Sequence, residues 1–155
     1  MDLTQRIAYF LILILSVGLA LWKGGAPERA GALVFILMAV IQALVMAFIP
    51  SHFVRVDPDA LVADLTGFLG FGYLALEARR FWPLWATSLQ VLCLSAHFAR
   101  WADIGIYPMV YAVMRGAPTF GVAIAILIGT LLHMYRLRRR GSDPSWQSWS
   151  RHAAG

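Results

Sequence analysis

Residues 63–85 read ADLTGFLGFGYLALEARRFWPLW. An apolar run carries an acid, Asp64, near its start, is threaded by Gly67, Gly70 and Gly72, and closes on Arg79, Arg80, Trp82 and Trp85. Arginine and tryptophan at the end of such a run mark a membrane–water boundary, and Pro83 just beyond them suits the first turn of a new helix. The stretch therefore reads as one membrane helix, a tight turn and the restart of the next. Asp64 is the residue that this reading leaves unexplained.

The whole chain has the composition this requires. Its 155 residues are 60% hydrophobic and only 14% charged, with a mean hydropathy of +0.69, against about 25% charged residues in soluble proteins. The net charge of +5 raises nucleic acid as a partner, but the arginines stand at the ends of apolar runs instead of lining one polar face. Lipid is the expected surrounding and nucleic acid is not. The single cysteine, Cys93, sits in an apolar run, so no internal disulfide or paired thiol is available.

Five runs approach the roughly 17 to 25 apolar residues that cross about 30 Å of hydrocarbon as a helix: residues 7–22, 30–49, 60–78, 83–99 and 118–135. The first is read as a retained span, not a cleaved leader. Residues 104–114 are apolar but too short to cross, which suggests an interfacial or re-entrant helix broken at Pro108. The expected fold is an all-α integral membrane protein: about five transmembrane helices, with that short helix between the last two. Residues 1–140 form one bundle, and 141–155 a polar, flexible cytoplasmic tail.

Lys and Arg in alternate connections set the orientation. Lys23, Arg29, Arg79, Arg80, Arg136, Arg138, Arg139 and Arg140 make eight charges on one side, against Arg6, Arg55, Arg100 and Arg115 on the other. Eight against four favours an outer N-terminus and a cytoplasmic C-terminus, in a membrane taken to be the bacterial inner membrane. Trp22, Trp82 and Trp85, with Tyr135, are expected anchors at the inner boundary; Trp101, with Tyr107 and Tyr111, at the outer one.

Ala63, Gly67 and Gly70 fall on one helical face and suit close helix packing. Glu77 and Arg80, three apart, are read as a solvated pair. Asp64 needs a partner, a proton or water below the membrane surface. Counted at 1.5 Å per residue from the inner boundary, Asp64 lies roughly 22 Å up, His97 roughly 21 Å and Gln42 roughly 20 Å. Arg100 follows His97 by three residues. These four make a candidate polar pocket near the outer face, for proton exchange or for a small ligand.

Other constellations are weaker. His97 and His133 differ in depth by about 15 Å, too much for two axial ligands of one haem. His52, Asp57 and Asp59 have no metal-site spacing, and no metal or cofactor is assigned. The loop WKGGAPERA lacks the proline- and tryptophan-bearing motif of the tryptophan-rich sensory proteins, and one cysteine excludes the paired thiols of disulfide-forming membrane oxidoreductases. With no catalytic motif, the expected role is an accessory subunit packed against other membrane subunits. The alternative is a small transporter or membrane enzyme using Asp64, His97 and Arg100.

Overall fold

The computed structural model describes residues 3–48, 58–102 and 108–146. These form five helices: α1 Leu3–Lys23, α2 Ala26–Phe48, α3 Pro58–Glu77, α4 Trp82–Trp101 and α5 Pro108–Arg140. Three segments, Ala26–Phe48, Pro58–Glu77 and Gly116–Arg140, are long and apolar enough to cross a membrane. The apolar part of α1, Ile7–Lys23, is shorter. In α4 the apolar run is diluted by Thr87, Ser88, Gln90, Ser95, His97 and Arg100.

The five that precede Arg100 are bonded or buried. Thr87, Ser88 and Ser95 each donate to the carbonyl four residues back, at 2.8, 2.9 and 2.8 Å, so the hydroxyls are satisfied within their own helix. Gln90 and His97 are buried inside the bundle. Consecutive helices pack on one another, and α1 packs on both α2 and α5, which closes a ring. The core contains Phe71, Leu74, Ala86, Val122 and Ile126, with Ala63 among them.

Small residues permit the closest approaches. A β-carbon at Gly67 would stand 2.6 Å from Met38 Sδ, and one at Gly70 would stand 2.6 Å from Val34 Cγ1, so both glycines face α2. A second seat takes Trp82. Its indole lies where a β-carbon on Gly31 of α2 or Gly129 of α5 would fall, and it meets Phe71 edge-on at 6.3 Å.

Trp82 therefore differs from the expected boundary anchor. It is 5% exposed and donates from Nε1 to Glu28 Oε1 at 3.2 Å; glycines on two facing helices draw the ring inward. Trp22, Trp85 and Trp101 are exposed.

The segment between the last two apolar runs also differs from expectation. From Pro108 the chain is not a separate interfacial helix but the first turns of α5, which runs 33 residues with Pro118 inside it. Proline removes one backbone hydrogen bond and leaves the flanking ones to carry the helix on. Residues 103–107, with Tyr107, and 49–57, with His52, Arg55 and Asp57, lie outside the described residues. So do the side chains of Arg6, Tyr111 and Arg115.

Gly31→Val should overfill the Trp82 seat and destabilise the protein by about 1–3 kcal/mol, read as a lower unfolding temperature in detergent. Gly18, with nothing near its β-position, supplies the contrast: Gly18→Ala should leave the transition unchanged or raise it.

Candidate functional site

The six-residue intervals from helix ends organise one polar layer. Asp64 is six residues into α3 from Pro58, Gln42 is six before the end of α2 at Phe48, and Tyr9 is six into α1 from Leu3; each interval is roughly 9 Å. Because neighbouring helices alternate in direction, these residues share one level. His97 comes to it from the C-terminal end of α4.

Asp64 and His97 meet. Their side chains are 7% and 2% exposed, and His97 Nε2 lies 3.0 Å from Asp64 Oδ2, so a proton on that nitrogen donates to the carboxylate. A carboxylate removed from water needs such a donor. Gln42 is drawn elsewhere: its Nε2 donates to Asp59 Oδ2 at 3.3 Å, near the start of α3. Arg100 is exposed and does not line the cavity described next.

That cavity, of about 360 Å³, opens between α1, α2, α3 and α5, and both Asp64 and Gln42 line it. Tyr9, Phe10, Phe35 and Thr119 contribute further walls. Tyr9 is held by stacking on Phe120 at 5.0 Å and meets Phe10 edge-on at 5.6 Å. Thr119 Oγ1 lies 4.0 Å from Cys93 Sγ. The layer thus joins a hydrogen-bonded acid and histidine to a mostly apolar space. Of the expected pocket residues, the structure brings together Asp64 and His97 and brings Gln42, bonded to Asp59, to the cavity; Arg100 does not line it.

Tyr9 and Thr119 were not legible as site residues, since a tyrosine and a threonine in apolar runs carry no motif. Depth alone would have found Tyr9. Gln90 was also missed: it is fully buried, its Nε2 lies 3.7 Å from Met38 Sδ, and its Oε1 has no hydrogen-bond partner among the described residues. Among the described residues no group of three His, Cys, Asp or Glu gathers as a metal site.

A second cluster occupies the opposite end. Glu28, fully buried, accepts from Arg80 Nε at 3.1 Å as well as from Trp82. Arg80 continues through Nη2 to Asp143 Oδ2 at 2.7 Å and through Nη1 to the Pro144 carbonyl at 2.9 Å. Asp143 also receives His133 Nδ1 at 2.7 Å and Arg136 Nε at 3.0 Å. Arg80 is thus engaged with Glu28 and Asp143, not with Glu77 as its sequence neighbourhood suggested. Gly141, with φ of 70°, turns the chain after α5, and Arg79 N donates to the Ser145 carbonyl at 3.2 Å beside an antiparallel bridge between Ala78 and Trp146. Residues 141–146 are therefore folded onto the α3–α4 turn.

This cluster places the α1–α2 turn, the α3–α4 turn and the end of α5 at one end of the bundle. Haem ligation by His97 and His133 has no geometric support, since the first is bonded to Asp64 and the second to Asp143. Comparison with protein-family models, curated proteins and solved structures finds no match to this chain.

Burial raises the Asp143 pKa, but hydrogen bonds from His133 and Arg136 and the charges of Arg80 and Arg136 outweigh it, holding the carboxyl below its usual 3.8. A folded value below the unfolded one gives stabilisation that is complete above about pH 4 and is lost as pH falls through the lowered value. Asp143→Asn should cost about 3–5 kcal/mol at neutral pH. Acid titration of the unfolding temperature should show a steeper fall below pH 4 in the parent than in the variant.

Proposed function

We propose that the chain is a five-span integral membrane protein whose outer half holds a small-ligand or ion site, as in a small transporter or membrane enzyme, built on Asp64 and His97. One observation carries this reading: a buried carboxylate, paired with a histidine, forms part of the wall of a cavity of about 360 Å³. A pair that served only to fix helix register would be sealed by packing; this one faces space. Ligand sites are concave, largely apolar and supplied with a few placed polar groups, and ionisable residues within a membrane mark functional sites.

The five-span reading draws on length and on the fate of polar groups. The 21 residues of α1 and the 20 of α4 each extend about 30 Å, the thickness of the hydrocarbon. In α4 the polar side chains other than Arg100, at the helix end, bond within the helix or turn into the bundle, so lipid meets Leu84, Val91, Leu92 and Phe98. The eight-charge end, where Arg80 and Arg136 meet Asp143, is assigned to the cytoplasm of a bacterial inner membrane by the excess of basic residues. On that orientation the Asp64 cavity opens toward the outside.

An accessory subunit of a larger membrane complex is the second reading. It draws on the apolar outer face of α1, where Phe10, Leu11, Ile14 and Leu15 are exposed and suit either lipid or another subunit. Copurification from native membrane in mild detergent, followed by mass spectrometry, should return a partner in fixed ratio on that reading and none on the first.

For the cavity, Asp64→Cys in a Cys93→Ala background should react with a small membrane-impermeant thiol reagent added from the outside. Ala39→Trp, which fills the cavity, should slow the reaction at least tenfold. Folded protein that stays unmodified at position 64, and equally as Thr119→Cys, would sink the reading.

A further inference from the structure

We infer that the cavity beside Asp64 selects an organic cation, an ammonium group carried on an apolar body. The inference rests on the ligand-site reading above and names the ligand's class. Among the described residues that line the cavity, Asp64 is the one with a formal charge, and no Lys, Arg or His is among them. His97, the hydrogen-bond partner of Asp64, lies behind it at 2% exposure and is not among the residues of the wall. The cavity side of the pair is therefore the carboxylate. With two oxygens and about four lone-pair sites, a carboxylate can hold His97 through Oδ2 and still meet a cation from the other side.

The remaining walls suit the rest of such a ligand. Tyr9, Phe10 and Phe35 supply aromatic rings and Met38 a polarisable sulfur; rings attract cations through their negative faces, most strongly when water is excluded. Tyr9 is fixed by stacking on Phe120, so the wall is organised before a ligand arrives. Gln42 and Thr119 offer oxygens toward a positive centre. An anion finds the carboxylate here and no cation among the described residues of the wall. A cavity of about 150 Å³ suffices for benzene, so about 360 Å³ takes a phenyl ring together with a trimethylammonium head.

Phenyltrimethylammonium and tert-butylbenzene test this directly, because they share a shape and differ in the charge of one atom. Binding of each to the full chain in lipid nanodiscs is measured by equilibrium dialysis. The cation should bind at least tenfold more tightly than the neutral isostere, and Asp64→Asn should remove that advantage while the neutral probe changes less than twofold. Should Asp64→Asn fail to fold, Tyr9→Leu serves: it should weaken the cation at least threefold and the neutral probe less. Equal binding of the two probes, or cation binding unchanged in both variants, overturns the cation selectivity and leaves a ligand cavity standing. Binding of neither probe, with position 64 still open to the thiol reagent, likewise overturns the inference alone. Binding of neither probe with position 64 closed overturns the ligand-site reading as well.

Discussion

The buried carboxylate of Glu28 is the constraint on which the rest of the bundle depends. A charge with no exposed surface is tolerable only if donors reach it, and here they come from one short segment: Arg80 and Trp82, on either side of the α3–α4 turn. That demand fixes α2 against the turn, seats the indole between Gly31 and Gly129, and brings α5 alongside. Arg80, itself buried, then requires a second acid, and Asp143 supplies it. One acid in the second helix thereby orders four elements.

Most of the helical architecture was legible in the sequence because apolar run length and proline position act locally. Pro58 opens α3, Pro83 stands in the first turn of α4, and the runs end near the basic residues. What the sequence does not carry is azimuth, the direction a side chain takes around its helix axis. Depth counting put Asp64, His97 and Gln42 at one level, yet a rotation separates Gln42, which bonds Asp59, from the pair. Arg80 has Glu77 nearby in sequence but meets acids 52 and 63 residues away, a choice set by packing. Trp82 was misread for a related reason: a boundary tryptophan and a core tryptophan look alike until the glycines opposite it are known. The short apolar run 104–114 and the run 118–135 suggested separate helices with a break at Pro108, whereas α5 starts at Pro108 and passes through Pro118 because the turns on either side keep their bonds.

The two polar layers use ionic groups differently. At the basic end two acids, two arginines and a histidine form a network with packed surroundings, leaving single atoms, Glu28 Oε2 and Arg136 Nη2, without hydrogen-bond partners among the described residues. At the other end Asp64 pairs with His97, and its carboxylate borders open space. Removing charges from water is costly in both places. In the first the gain is a fixed arrangement of helices; in the second a charge is held at the edge of a volume that packing has left unfilled.

The fold of residues 141–146 over the α3–α4 turn bears on how the protein is made. A chain entering the membrane in order of synthesis presents Glu28 first, Arg80 only 52 residues later, and Asp143 a further 63 after that. The basic end is an open half-circuit through most of that process, with the arginine awaiting its second acid. Closure belongs to the last residues described. The order of translation thus places the clasp after α5: until residues 141–146 are made, Arg80 can reach Glu28 but has no Asp143 to close on.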